Sequence, residues 1–399
     1  GTAIGDSASV AVTCADIVVV PPPPPAPGAA TGLAATPGIK KHALQWDAIT
    51  GATHYQVFED PDGAGPQAAA QVGGDIAATT VTVEHGVLLH QRVNAQYTVR
   101  ACNAGGCGPA SAAVQPDMAA AVGYFKASNT GAGDNFGVSV ALSGDGTTLA
   151  VGAFNEDSAA GAVHVFVRGS GGWIQEALLK AHNARDASGF GRSLALSNDG
   201  ATLAVGAPFE SSDANGIDGD GANVSAPNAG AAYVFSRIAG TWTQQAYVKA
   251  SDSLSNHAFG SALALSAAGD TLAVGAPGNV TTGWVYVFSR SAATWSQQAQ
   301  LAATVRNLGD AFGRSVALSA DGNVLVAGAT GEDSATGNPS DNTQSAAGAA
   351  YVFRRAGAAW TQEAYLKASN IAASSGFGMS VAISQDASTI AVGAPFERS

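Results

Sequence analysis

With 399 residues, the chain is longer than one ordinary β-sandwich, and at about 150 residues per domain it is expected to hold two or three domains. Charged residues make up only 12% of the chain, whereas glycine occurs 50 times and proline 16 times, a composition typical of many short strands joined by tight turns. The net charge is −12 and Lys and Arg are not clustered, which argues against nucleic acid as a partner. The sequence has no run of 18 apolar residues, so we predict no membrane insertion.

Residues 1–20 alternate Val and Ala with Thr and Ser, which predicts the terminal strand of a preceding β domain. The chain begins at Gly1 without Met and stops inside a repeat, so we expect it to be an internal part of a longer precursor, and Cys14 to pair upstream. Residues 21–27 are rich in proline and predict a semi-rigid polyproline II linker.

Residues 28–117 carry apolar residues at alternate positions. Leu44 and Trp46 share one strand face, and Tyr55 and Val57 share another. A later strand reads TyrThrValArgAlaCysAsn from Tyr97. A Trp in an early strand, a Tyr in the next and this final motif resemble fibronectin type III domains, in which Tyr97 would take the place of the tyrosine corner.

Two cysteines, Cys102 and Cys107, lie five positions apart at the end of that strand. A metal site would need a second pair of ligands, so a disulfide across the hairpin is favoured over metal binding. Such a bond predicts an oxidising compartment, and therefore a secreted protein.

From residue 120 to residue 399 the chain consists of repeats. A PheGly pair opens each unit, a ThrLeuAlaValGlyAla-like segment follows, then a TyrValPhe-like segment, and last a segment that begins with Trp. The PheGly pairs begin at Phe136, Phe190, Phe259, Phe312 and Phe377. Four period-two segments per unit predict four-stranded antiparallel propeller blades.

PheGly followed by GlyAla or GlyAlaPro resembles the FG-GAP repeat of integrin α-subunits and of many bacterial surface proteins. The resemblance implies a propeller of about seven blades, of which residues 120–399 supply four full blades and part of a fifth. The predicted fold is therefore all-β, a fibronectin type III sandwich followed by an incomplete integrin-α-like β-propeller. The TyrPheLysAlaSer segment at 124–128 resembles the fourth strands of later units, so we expect Tyr124–Ala127 to form an outermost strand that closes the ring.

No motif predicts catalysis, and we expect the chain not to be an enzyme. Ser139 and Ser193 resemble the serine of a nucleophile elbow, but Ala replaces the second glycine of that motif and the segment is a strand. The seven histidines show no metal-binding spacing. The repeated tryptophans are interpreted as packing residues rather than as a sugar-stacking row.

Calcium is the one cofactor that the sequence raises. In integrin repeats the hairpin between the first two strands carries several carboxylates, whereas here it keeps one Asp before Gly. A denser oxygen cluster lies in a later loop and comprises Asp213, Asn215, Asp218 and Asp220. Such a cluster matches the ligands of calcium, although a solvated loop is the favoured interpretation.

The connections between the second and third strands differ in length and carry acidic residues without Lys or Arg. They predict a locally negative partner face that includes Glu156, Asp157, Glu210, Glu332, Asp333 and Asp341. The alternative is that these acids only solvate glycine-rich loops.

These observations predict an extracellular or cell-surface protein, bacterial by its resemblance, for adhesion, recognition or building an extracellular assembly. Its expected partner is a protein or glycan on an extracellular surface, or a second copy of itself. Two alternatives stay open: the noncatalytic accessory region of a secreted hydrolase, and a calcium-dependent lectin-like binder.

Overall fold

The computed structural model describes residues 21–38, 41–63, 65, 67–84, 94–116, 125–169, 172–278 and 282–397. The chain divides into two compact units, Gly1–Phe125 and Lys126–Ser399. The strand predicted within residues 1–20, and Cys14 with it, lies outside the described residues.

The described residues of the first unit form two antiparallel sheets. One has the order β1-β2-β5, with β1 at Ala34–Gly38, β2 at Lys41–Gln45 and β5 at Thr80–Glu84. The other has the order β4-β3-β6-β7, with β3 at His54–Asp60, β4 at Ala70–Gln71, β6 at Gln96–Asn103 and β7 at Gly106–Cys107.

The core of this unit is formed by the alternating apolar positions of both sheets. Leu44, Val57 and Tyr97 are fully buried. The rings of Trp46 and Tyr55 meet edge to face, with their centroids 5.4 Å apart, an arrangement that aromatic pairs prefer. The sequence pattern therefore identified the residues that hold this unit together.

The second unit contains four sheets of four strands, each in simple up-and-down order, and a fifth sheet of two strands. The first sheet comprises β8 (Phe136–Leu142), β9 (Thr148–Ala153), β10 (Ala162–Gly169) and β11 (Gly172–Leu179). The second comprises β12 (Ser193–Leu196), β13 (Thr202–Ala207), β14 (Ala231–Ile238) and β15 (Thr241–Val248).

The third sheet comprises β16 (Ala262–Leu265), β17 (Thr271–Ala276), β18 (Trp284–Ser291) and β19 (Thr294–Leu301). The fourth comprises β20 (Phe312–Leu318), β21 (Val324–Ala329), β22 (Ala349–Ala356) and β23 (Ala359–Leu366). The fifth comprises β24 (Ser380–Ile383) and β25 (Ile390–Gly393). A single turn with left-handed residues, α1 (Glu156–Ala159), is the one helix of the described residues. The prediction of an all-β protein is confirmed.

The glycines of the repeat signature allow successive sheets to approach closely. Gly206, in β13, lies against the carbonyl oxygen of Gly260 in the next repeat, and a Cβ atom at Gly206 would collide with that oxygen. Gly260 itself has a φ angle of +88°, which disfavours any other residue there. The Ser193 hydroxyl donates a hydrogen bond of 2.7 Å to the same carbonyl oxygen. This serine therefore joins two repeats, as expected for a structural residue.

The predicted outermost strand at Tyr124–Ala127 requires a correction. Tyr124 lies outside the described residues, and Phe125–Ala127 have no strand structure. In the complete sheets the outermost strand pairs with the third strand. Because the fifth sheet contains only β24 and β25 among the described residues, it offers no third strand with which this segment could pair.

Candidate partner-binding face

One face of the second unit carries the long connections, and we call it the loop face. It comprises the described residues of the connections between second and third strands, at 154–161, 208–230, 277–278 with 282–283, and 330–348. The links between sheets, at 180–192, 249–261, 302–311 and 367–379, belong to it as well. Parallel backbone bridges join the last glycine of each connection to the phenylalanine of the next PheGly pair, as between Gly230 and Phe259. The two kinds of segment therefore form one continuous surface.

The opposite face consists of tight hairpins that are bonded to one another. The backbone N–H of Gly144 donates to Asn198, that of Asn198 to Ala267, that of Ala267 to Ala320 and that of Ala320 to Gln385, over 2.9 to 3.1 Å. Each hairpin is closed further by its own serine, as where Ser197 donates to Asp199 over 2.6 Å. The turns of this face are short and similar in length, so they form a surface with little variation in shape for a partner to recognise.

Three of the acidic residues predicted for the partner surface are buried, and that prediction is wrong for them. Glu156, Glu210 and Glu332 are 1 to 3% exposed. Each forms an ion pair with a lysine that follows the fourth strand of its own sheet: Glu156 with Lys180 at 3.0 Å, Glu210 with Lys249 at 2.7 Å, and Glu332 with Lys367 at 2.7 Å. The lysines come from the links rather than from the connections, so counting charges within the connections overestimated the negative charge of the face.

The pair in the second sheet is the most deeply buried of the three. Lys249 is completely inaccessible, and its ammonium donates to Glu210 Oε2 and to the carbonyl of Ser212, each over 2.7 Å. Glu210 Oε1 accepts the backbone N–H of Ser212 over 2.9 Å. Burial lowers the pKa of Lys249, and the Glu210 carboxylate opposes that shift. Together the two side chains fasten the start of the 208–230 connection to the end of β15.

The corresponding pairs in the first and fourth sheets are extended into small networks. Burial disfavours the ionised form of Glu156, but hydrogen bonds from His164, Asn129 and Lys180 prevail and lower the pKa of its carboxyl group. The Nε2 atom of His164 lies 2.9 Å from Glu156 Oε2. In the fourth sheet the Glu332 carboxylate accepts hydrogen bonds of 2.7 Å from both Tyr365 and Lys367. Each network anchors one connection.

The third sheet lacks both members of the pair. Its sequence has Asn279 where the others have Glu, and Ala302 where the others have Lys. Its connection, 277–283, is also the shortest of the four. An unpaired buried charge is strongly destabilising, so the joint loss of both partners is the expected pattern for residues that depend on each other.

The remaining acids of the predicted face are used mainly within the loops. Asp157 is exposed and pairs with Lys180 over 2.6 Å. Asp333 accepts the backbone N–H of Ala346 over 2.7 Å. The hydrogen bond from Thr343 is the chief cause of a lowered pKa at Asp341. These contacts give the loops fixed shapes.

The residues proposed for calcium do not converge on one point. Asp213, Asn215, Asp218 and Asp220 are all exposed. Their oxygens accept hydrogen bonds from the surrounding backbone: Asp218 from Tyr247, Asp220 from Ala222, and Asn215 from Ser253, each over 2.8 Å. In the described part of the chain, His54, Cys102 and Cys107 are the one group of three or more metal-ligating side chains with ligand atoms within 4.8 Å of one another.

The two cysteines of that group are joined by a disulfide, so their sulfur atoms do not serve as thiolate ligands. Their Cα atoms lie 4.0 Å apart, because Cys102 and Cys107 are directly opposite each other in the β6–β7 ladder.

Three tryptophans of the outer strands each donate a hydrogen bond to the preceding sheet. The indole N–H groups of Trp242, Trp295 and Trp360 donate to Glu176, Gln245 and Gln298 of the neighbouring outer strand, over 2.9 to 3.0 Å. Arg290 and Arg355 lie over two of the same rings. These contacts agree with the interpretation of the tryptophans as packing residues.

Sequence reasoning missed the lysines and one cavity. The signal for the lysines was present, because LysAla follows the fourth strand in just those complete repeats that carry Glu after the second strand. The cavity, of about 460 Å³, opens on the loop face beside Arg314. No helix among the described residues is long and apolar enough to span a membrane.

The family model described as "FG-GAP repeat" matches the chain five times, at residues 122–166, 173–235, 242–288, 295–353 and 360–399. The predicted repeats are thereby confirmed, and a β-propeller-like fold is supported. Comparison with curated proteins found no match.

Several solved structures show partial similarity. A Fn3-like protein from Clostridium thermocellum shares 27% identity, with 23% of this chain and 92% of that chain covered and a TM-score of 0.20. A putative 6-phosphogluconolactonase from Bacteroides uniformis shares 13% identity, with 82% of each chain covered and a TM-score of 0.40. Hydrazine synthase from Kuenenia stuttgartiensis shares 12% identity, covers 75% of this chain and 67% of that chain, and has a TM-score of 0.40. Scores this low carry no argument about function.

Proposed function

This chain belongs to the FG-GAP repeat family, and from that premise we propose that it is a non-enzymatic extracellular or cell-surface protein that recognises a partner through its loop face. The partner is a protein or glycan on an extracellular surface, or another copy of the chain. The Cys102–Cys107 disulfide supports an oxidising compartment.

The proposal includes the architecture. We assign a fibronectin type III sandwich to residues 28–117 and an integrin-α-like β-propeller to residues 120–399. The two antiparallel sheets of the first unit, with Trp46 against Tyr55, support the first assignment. Five successive up-and-down sheets, whose first strands contact one another, support the second.

The observation that carries the proposed function is the inequality of the connections on an otherwise regular scaffold. The sheets repeat nearly residue for residue, whereas the connections range from the short 277–283 to the long 208–230 and 330–348. Loops that vary on a rigid frame are where binding residues concentrate.

The buried ion pairs support the same conclusion. Glu210 and Glu332 fix the beginnings of the two longest connections to the sheets below them. A loop that is already ordered loses less conformational entropy when it binds a partner. Anchored long loops are therefore better suited to recognition than freely moving ones.

The test replaces residues 209–229 with a linker as long as the 277–283 connection. It also replaces Lys249 with Ala, the residue that the third sheet has at this position, so that no buried ammonium is left without Glu210. Purified wild-type and shortened proteins are applied to a glycan array and to a panel of immobilised extracellular matrix proteins, and self-association is measured by analytical ultracentrifugation. Circular dichroism verifies that the sheets are retained. We expect the wild type to bind a member of these panels or to self-associate, and the shortened protein to lose at least about tenfold in affinity.

Asp199→Ala, on the opposite hairpin face, is the matched control and should bind as the wild type does. Equal binding by the shortened protein, or no binding and no self-association by the wild type, would contradict the proposed function.

A further inference from the structure

The cavity on the loop face lies where the third, fourth and fifth sheets meet. Its wall includes Pro277 from the third sheet, Arg314 and Gly331 from the fourth, and Met379 and Phe396 from the fifth. Its volume of about 460 Å³ exceeds that of an aromatic side chain. Met379 and Phe396 are 37% and 61% exposed, so the wall presents apolar surface to solvent.

The junction between the first and second sheets shows how the same place is filled elsewhere in the chain. There the guanidinium of Arg192 lies over the ring of Phe154, 4.8 Å from its centroid. The ring of Phe209 lies against Gly189, so closely that a Cβ atom on this glycine would contact it. Two aromatic rings thus occupy this junction.

The repeats align these residues with the wall of the cavity. PheGlyArgSer occurs at 190–193 and again at 312–315, so Arg314 corresponds to Arg192. GlyAlaPhe at 152–154 corresponds to GlyAlaPro at 275–277, which puts Pro277 in the place of Phe154. GlyAlaProPheGlu at 206–210 corresponds to GlyAlaThrGlyGlu at 328–332, which puts Gly331 in the place of Phe209. The arginine is kept and both rings are gone.

Arg314 therefore has no ring beneath it. It is exposed, and the ion pairs and cation–π contacts of the described residues involve other arginines, such as Arg237 and Arg192. A guanidinium group attracts the face of an aromatic ring, and a methionine sulfur contacts ring edges favourably. A bound aromatic ring could therefore contact a cation at Arg314, a thioether at Met379 and a second ring at Phe396.

We propose that this cavity binds an aromatic side chain of a protein partner, in the place that Phe154 fills at the first junction. The proposal rests on the loop face being the partner face, and it names the chemistry that this face recognises. An aromatic side chain is the occupant that the chain itself uses at the corresponding position. Aromatic anchors in pockets also contribute most of the affinity of many protein interfaces.

The test uses N-acetyl-phenylalaninamide and N-acetyl-tryptophanamide as probes, with N-acetyl-leucinamide as the apolar control. The chain has two methionines, so a sample labelled with ¹³C at the methionine methyl groups gives two signals, of which the Met379→Leu variant assigns one. A bound ring shifts the Met379 methyl signal through its ring current. We expect a saturable shift with both aromatic probes and at least about fivefold weaker binding of the leucine probe.

Two variants and one matched control locate the site. Pro277→Phe restores the ring that Phe154 provides at the first junction, fills the cavity from within and should weaken binding at least about tenfold. Arg314→Gln removes the exposed cation and should weaken binding about fivefold. Because Arg314 is exposed, this variant should fold, and it tests the site even if Pro277→Phe does not fold. Arg192→Gln, the same change where the cavity is filled, should leave probe affinity unchanged.

The absence of a Met379 shift at saturating probe, equal binding of the leucine probe, or unchanged binding by Arg314→Gln would overturn the proposal. Because these measurements use no protein partner and leave 209–229 intact, their failure is distinct from failure of the loop-shortening test.

Discussion

Replacing Lys249 by methionine removes the cation of a fully buried ion pair and leaves the Glu210 carboxylate without it. Lys249 is inaccessible to solvent and Glu210 is 3% exposed, so water does not replace the lost partner. Methionine retains most of the volume of the lysine stem, so the change isolates the charge. Breaking a buried pair in this way costs about 3 to 5 kcal/mol.

We expect Glu210→Gln to cost less, because the lysine keeps its hydrogen bond of 2.7 Å to the carbonyl of Ser212. The double variant, Glu210→Gln with Lys249→Met, should be more stable than the sum of the single variants predicts, by about 1 to 3 kcal/mol. The third sheet, which carries neither partner, shows that a repeat of this kind folds without the pair.

The assay is chemical denaturation of the whole purified chain, monitored by circular dichroism and by intrinsic tryptophan fluorescence. The free energy of unfolding is compared at constant m-value, because a changed slope would indicate a lost two-state transition. Glu363→Gln is the control, since Glu363 forms an exposed ion pair with Arg354 at 2.9 Å. Such pairs contribute about 0 to 1 kcal/mol. A cost below about 1 kcal/mol for Lys249→Met, or simple additivity in the double variant, would refute the reasoning.

Three further outcomes are expected. Burial raises the pKa of Asp310 to about 6 in the folded protein, above its value in the unfolded chain. The contribution of Asp310 to stability is therefore greatest below about pH 4, where its carboxyl group is protonated in both states, and this contribution is lost as the pH rises through about 6 and the buried carboxyl group ionises. Asp310→Asn should stabilise the protein by on the order of 1 to 3 kcal/mol at pH 7.5 and make its free energy of unfolding less dependent on pH. Replacing Cys102 and Cys107 by alanine should cost about 2 kcal/mol of first-unit stability in thermal unfolding, because the closed loop is short. Ser193→Ala removes the hydrogen bond to Gly260 and should cost about 1 kcal/mol in denaturant titration, while the third sheet already has Ala262 at this position.

The strands were predictable from the sequence because their signal is local. PheGly, ThrLeuAlaValGlyAla and TyrValPhe recur in order, and each segment has its own period of two. The central strands, such as β13 and β17, are buried along their entire length, which matches their nearly unbroken apolar sequence.

The candidate site was less predictable because its contacts join distant segments. Glu210 and Lys249 lie 39 positions apart, and the acidic character of the loop alone favoured an exposed carboxylate. The cavity depends on residues from three repeats, including Pro277, Arg314 and Met379. Comparing the repeats with one another would have indicated both features, whereas the composition of single loops could not.

The hairpin face has a consequence for how such a chain can change over generations. Its sheets are joined tip to tip by backbone hydrogen bonds, from Gly144 through Asn198 and Ala267 to Ala320. A bond between main chains does not depend on which side chain the bonded residue carries, and the tip at Ala267 reads SerAlaAlaGly where another reads SerAsnAspGly. If a repeat were duplicated and inserted at a junction, its tip could accept the backbone N–H of the preceding tip and donate its own N–H to the carbonyl of the next. Repeats can therefore be gained, and their tips can drift in sequence, while the joint between them stays the same.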